Sequence, residues 1–246
     1  MLPLRVGNDV ATINGVMGVI EILSSRREYT KLNPFVVLLG KGNHEIISSS
    51  VDEDGDEVEN TLEITRSNIV CVGNGKDTTT LLGGVWIANQ ENVSFRNMTV
   101  TNTGINGDPG IRMSNAKVEL IDVALKGCNG SALFISRSTS STSETTVVAT
   151  RCEFANSEYG TLVYGSLSSA KFNNCLFHSN RFSGIYACQS TIHLHGEATA
   201  LHSNEGHVIF ASHHNTLYNN GGGDQQTMSG ATITYYYYYQ QRRLKV

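Results

Sequence analysis

The sequence predicts an all-β chain wound as a parallel solenoid, on three observations. One unit recurs five times across residues 93–211, each copy alternates apolar with polar residues, and asparagine or aspartate marks the joints. With Val100, Leu125, Phe154, Phe177 and Leu201 as anchors, the steps are 25, 29, 23 and 24 residues. Two positions earlier stand Met98, Val123, Cys152, Cys175 and Thr199; seven earlier stand Val93, Val118, Val147, Ala170 and Leu194. Eight later come Leu133, Leu162, Ile185 and Ile209, whereas Ile111 lies eleven after Val100, so the first copy carries three extra residues. Self-similarity at such a step is the signature of a repeat architecture.

Within a copy the pattern is Val93-x-Phe95, Met98-x-Val100, Ile111-x-Met113. A period of two belongs to short strands with one buried face. Strands this short must pair with their counterparts one copy on, at a spacing of about 4.8 Å, which stacks like residues into interior ladders. Asn97, Asp122 and Asn174, then Asn102, Asn156, Asn180 and Asn204, fall where the chain must turn. These side chains bond their own backbone and tolerate left-handed angles.

The pieces NVSFRNMTV, CEFANSEYGTLVYG, CLFHSNRFSGIYA and ALHSNEGHVIFA resemble the right-handed parallel β-helix repeat proteins of the pectin-lyase-like superfamily. The resemblance implies a single-stranded right-handed parallel β-helix over residues 34–220, with a segment bearing an N-terminal capping helix (1–33) before it and an irregular tail (221–246) after it. That superfamily holds lyases, hydrolases, esterases, epimerases and proteins without activity, so the resemblance implies a fold and no one reaction.

Taken in order, residues 9–23 read as an amphipathic helix capped by Asn8 or Asp9, with Ile13, Val16, Met17, Ile20 and Leu23 on one face. It is expected to cover the open first edge of the solenoid. Phe35–Leu39, a continuous apolar run ending in Gly40-Lys41-Gly42-Asn43, resembles the entry strand and turn of β-helix proteins, and Ile64–Ile87 supplies the first full coils. Residues 51–60 hold six acids but lack the order of a calcium loop, so a solvated acidic loop is expected. Gly73–Asp77 lacks the ending of a phosphate loop and reads as a turn. Asn68-Ile69 and Asn92-Val93 are one coil apart, and residues 136–146 form an insertion loop. After His214 the pattern fades, with Leu217 echoing Leu201 at a spacing of 16, before a tail with five consecutive tyrosines.

A net charge of −4 with scattered basic residues leaves no nucleic-acid footprint. No apolar run is long enough to span a membrane and the first residues make no clear secretory signal, so the compartment stays open. Of five cysteines, Cys152 and Cys175 occupy equivalent inward positions and read as reduced core thiols. A monomer is expected, with no cofactor and no metal.

Seven of the eight histidines follow residue 177. His178 and His202 succeed equivalent anchors, and Lys126 occupies the same column. His193 and His195 share one outer face, but a zinc site needs three or four ligands and none is placed to complete it. The outward acids Glu119, Asp122, Glu153 and Glu197 have no acidic neighbour one coil away, whereas glycosidases need paired carboxylates. Nine residues after the last four anchors come Phe134, Val163, Tyr186 and Phe210, an outer stripe able to pack on sugar rings. The leading expectation is a non-catalytic ligand-binding module that takes polysaccharide or protein glycans on Phe134, Tyr186 and Phe210. Its rival is a polysaccharide lyase, hydrolase or epimerase using His178, His202 and Lys126 for acid–base chemistry. A third reading is a purely structural spacer.

Overall fold

The computed structural model describes residues 4–6, 12–47, 49–51, 57–104, 107–136, 143–212, 216–220 and 234–235. Its core element is a coil that repeats along one axis. In a representative coil the strand Lys117–Lys126 bends sharply at Asp122, and a second strand, Ser131–Ser136, returns in another sheet. Every rung pairs in parallel with the next, giving one sheet with ten strands on its main path and a second sheet of seven. Among the described strands the one antiparallel pair is Ser49–Val51 with Glu57–Glu59, where the sequence predicts a plain acidic loop; residues 52–56 lie outside the described residues.

The anchor ladder forms as the spacing implies: Val100, Leu125, Phe154, Phe177 and Leu201 pair in turn on successive rungs. Phe154 stacks on Phe177 at 4.7 Å between ring centroids, and Phe172 meets both edge-on at 5.5 and 4.9 Å. All three are fully buried. Such aromatic pairs are worth about 0.5–1.5 kcal/mol each beyond the area they bury.

The bend lies three residues before the anchor, where Asn97, Asp122, Arg151 and Asn174 adopt φ of 55°, 53°, 54° and 53°. Arginine is an uncommon occupant of the left-handed region. Here its guanidinium forks onto Asp122 of the preceding coil at 2.8 and 2.6 Å, so the residue that strains the corner also ties two corners together. The other asparagines behave differently from the sequence expectation. Asn156 is left-handed (φ 52°), but at the equivalent corner of the next two coils the left-handed residues are Ser179 and Ser203. Asn180 and Asn204 follow them, point inward and satisfy backbone groups instead.

Three registers differ from those the spacing implied. Ala170 pairs with Ile192 and Phe172 with Leu194, so Leu194 is not the counterpart of Ala170. Two extra residues are taken up at the turn around Gly196 (φ 84°), which preserves the anchor ladder. Leu133 pairs with Thr161 rather than Leu162, because the connection after Phe154 is one residue shorter than that after Leu125. Leu217 lies over Ile192, a full coil of 25 residues away, so the pattern continues where it seemed to fade. Thr216–Asn220 in turn pairs with Thr234–Tyr235; the rest of the tyrosine tail lies outside the described residues. So do residues 137–142 of the insertion, whose far end, Thr145–Thr150, is a strand.

The helix spans Ile13–Ser24, starting later than expected, and Thr12 rather than Asn8 or Asp9 caps it by accepting a hydrogen bond from the Gly15 amide at 3.2 Å. Ile13, Val16 and Ile20 are buried, and the helix packs against Leu4–Val6 and Thr61–Ile64 at the first end of the solenoid. Leu4–Val6 itself pairs with Phe35–Leu39, so the leading segment supplies a rung as well as a cap. Among the described residues no helix is long and apolar enough to cross a membrane.

Candidate functional site

On the outer face of the second sheet, consecutive rungs carry Trp86, Arg112, Phe134, Leu162, Tyr186 and Phe210 in one column. Phe134, Tyr186 and Phe210 therefore share that column, but Val163 does not. It points inward and is fully buried, because the one-residue shortening puts Leu162 in its place. The same shift sets Tyr164, two residues further along the strand, on the outside. Tyr164 stacks on Tyr186 at 5.5 Å, Tyr186 on Phe210 at 4.9 Å, and Tyr164 meets Phe134 edge-on at 6.0 Å. Tyr159 and Phe182 widen the band, lying 5.1 Å apart with Tyr159 5.9 Å from Tyr186.

These rings are half-buried or, for Phe182, exposed, so the band is held by its own contacts while part of it meets solvent. Burial and neighbouring Tyr186 push the Tyr164 hydroxyl up to about 12, and burial followed by Glu158 raises that of Tyr159. Both stay neutral at ordinary pH. Guanidinium groups sit over the margins, Arg112 at 5.7 Å from the Phe134 ring and Arg181 at 5.1 Å from that of Phe182. The alternation in Tyr159–Tyr164 was the available signal for Tyr164; counting from the anchor alone hid it.

A second cluster lies on the outside of the first sheet. His178 and His202 pair on adjacent rungs with their rings stacked at 5.4 Å. His178 Nε2 lies 3.1 Å from Glu153 Oε1, and the Nδ1 atoms of the two histidines contact the Ser179 and Ser203 hydroxyls, each at 3.1 Å. Lys126 shares the column, but the rung of Ala155 separates it from His178. The three residues are thus aligned without forming one group; Glu153 is the close partner that sequence reasoning did not supply.

Three of the four outward acids, Glu119, Asp122 and Glu153, are engaged by bases one coil away. Arg96 donates to Glu119 at 2.9 Å, Arg151 to Asp122 at 2.6 Å, and His178 takes Glu153. On the strands that precede the left-handed corner, His193 and His195 lie with ring centroids 6.0 Å apart, beside Lys171 on the adjacent rung. Burial lowers both pKa values, with His195 and Lys171 adding to the shift at His193 and Lys171 to that at His195. Among the described residues no three histidine, cysteine or carboxylate side chains are grouped to hold a metal ion.

Residues 59–236 match the family described as a right handed beta helix region. Among solved structures the chain is similar to a pectin methylesterase variant in complex with a hexasaccharide, at a TM-score of 0.57 and 12% identity, covering 94% of this chain and 80% of that one. It is similar also to the pectin methylesterase PemA from Erwinia chrysanthemi, at a TM-score of 0.55 and 12% identity, covering 92% and 81%. At such identity the likeness concerns the fold. No curated protein matches the chain in sequence.

Proposed function

The chain belongs to the right-handed β-helix family, and from that premise we propose that it is a non-catalytic module that binds glycans on the aromatic band of its second sheet. The observation that carries this reading is the continuity of Phe134, Tyr164, Tyr186 and Phe210 across successive rungs, in contact with one another and partly open to solvent. Buried cores need no such rings outside them, and contiguous exposed apolar surface rimmed by polar groups marks interaction sites. Rings fixed by mutual stacking lose little conformational freedom when a ligand arrives. Tyrosine adds a hydroxyl at the rim of an apolar face, the combination a sugar ring requires. The pairing of Glu119 and Asp122 with arginines also supports a binding role, since those carboxylates are committed to structural partners.

The test is a broad glycan array followed by titration of any ligand found. Tyr186→Ala and Phe210→Ala should each weaken binding by about tenfold, as loss of an aromatic contact at a binding surface does. An array without a single ligand would remove the reading.

One observation favours a second reading. The Glu153–His178 contact at 3.1 Å, half-buried beside His202, is the geometry of an acid–base pair. That reading makes the chain a polysaccharide-active enzyme. Incubation with polyuronates, watched for shortened or unsaturated products, tests it, and activity that survives His178→Ala and Glu153→Gln would exclude this site.

A further inference from the structure

Where the aromatic band meets the connection between the two sheets, a polar notch of about 290 Å³ opens beside Tyr159 and Phe182. Its charged walls come from one position repeated on three coils, four residues after each anchor: Glu158, Arg181 and Glu205. Backbone hydrogen bonds fix that column. The Glu158 amide donates to the Gly130 carbonyl, the Arg181 amide to that of Ser157, and the Glu205 amide to that of Asn180, each at 2.9 Å. Asn129 also lines the notch, with its side-chain amide donating to the Thr103 and Gly104 carbonyls at 3.0 and 2.9 Å.

The chemistry of the column is one cation between two anions. Arg181 is 3.5 Å from Glu158 and also covers the Phe182 ring at 5.1 Å, so its charge is already shared. Glu205 adds a second carboxylate two rungs from Glu158, about 9.6 Å away at the spacing of parallel strands. Close packing leaves no latitude at this corner: a Cβ on Gly206, next to Glu205, would lie 2.1 Å from the Phe182 carbonyl. The notch is therefore a built feature joined to the band through Glu158–Tyr159 and Arg181–Phe182.

We propose that this notch orients the glycan on the band and selects neutral sugars over acidic ones. The inference rests on the glycan-binding reading above and deepens it. Carboxylates accept hydrogen bonds and cannot donate them, so Glu158 and Glu205 match the donor hydroxyls of a neutral sugar, while Arg181 supplies a donor to its oxygens. A uronic acid in the same place would bring a carboxylate against two others with one shared cation to offset them. Like charges juxtaposed across an interface are what specificity by exclusion uses.

The experiment is calorimetric titration of the full chain with a cello-hexaose, a manno-hexaose and a xylo-hexaose, and with an oligogalacturonate and an oligomannuronate of matched length. A neutral oligosaccharide should bind, the acidic ones at least tenfold more weakly. Glu158→Ala and Glu205→Ala should each cost about tenfold in affinity for the neutral ligand, the range expected for one lost charge-assisted hydrogen bond. Both side chains lie at the surface, and thermal unfolding of the variants reports whether the fold is intact. Glu158→Gln and Glu205→Gln together should narrow the preference against the acidic oligomers. Preferential binding of the acidic oligomers, or neutral binding that depends on Tyr186 yet is unchanged in the Glu158 and Glu205 variants, would overturn this inference and leave the band reading standing. Binding to none of the five would overturn both.

Discussion

Asn180 donates its side-chain amide to Asn204 Oδ1 at 2.9 Å, one rung apart inside the solenoid. The same amide also donates to the Phe154 carbonyl at 3.1 Å, and Asn180 Oδ1 accepts from the Ser157 amide at 3.2 Å. One side chain thus serves three coils from a position with no solvent exposure. Asn180→Ala should lower the unfolding free energy by about 2–4 kcal/mol, because each buried group left unpaired costs about 1–3 kcal/mol. Chemical denaturation measures this, and a loss below about 0.5 kcal/mol would show that the ladder is ornamental.

Thr161 presents the opposite case. Its hydroxyl is fully buried between Leu133 and Ile185 on the adjoining rungs, and it has no hydrogen-bond partner among the described residues. Thr161→Val keeps the shape and β-branching and removes the polar atom. The variant should be more stable by about 1 kcal/mol, read as a rise in melting temperature. A drop instead would mean that the hydroxyl has a function in the core.

His193 and His195 predict a response to acid. Their pKa values in the folded chain lie below the ordinary 6.5, chiefly through burial. The unfolded chain therefore binds protons first as pH falls. The stability these histidines contribute is present above about pH 6.5 and is lost progressively as pH drops towards the depressed folded values. Asp122 and Glu21 also have lowered values, through Arg151 and Arg66, but they act from the carboxylate range downward, so the two windows separate. Replacing both histidines with glutamine should flatten the pH dependence of unfolding as pH falls below about 6.5.

Thiol chemistry should separate one cysteine from the other four. Cys71, Cys128, Cys152 and Cys175 are buried, and Cys188 is half-buried. Burial pushes the Cys71 thiol up to about 12 and, together with the adjoining Cys152 sulfur, pushes Cys175 up as well. Since the thiolate is the reactive form, alkylation of the native protein should modify Cys188 first and the rest only on unfolding. Mass spectrometry of peptides after a short exposure would identify the site, and rapid labelling of Cys175 would contradict the packing.

Much of this was legible beforehand because rungs impose a rule on sequence. A residue buried between two like residues is as a rule apolar or bonded, Thr161 being an exception, so Val100, Leu125, Phe154, Phe177 and Leu201 align by counting. Counting failed where a corner changed length. The shortened connection before Tyr159 exchanged Leu162 and Val163 between outside and inside, and with them concealed Tyr164. The wider turn at Gly196 moved Leu194 from Ala170 to Phe172. Glu153 was visible as an outward acid, but its partner lay on another coil, and a list of isolated acids has no register with which to find it. A period-two face extends along the strand, whereas a site extends across strands.

The corners hold one consequence for anyone who would build on this scaffold. Steps between anchors vary from 23 to 29 residues, yet the Phe154–Phe177 stack and its neighbours keep their spacing, because the extra residues fall between the paired strands. Foreign peptide spliced between Ser136 and Thr145 would enter at a point that already departs from the regular coil length and would emerge beside the aromatic band's Phe134 rung. The chain is in that sense a ruler with removable flags: graduations fixed inside, attachments exchangeable outside.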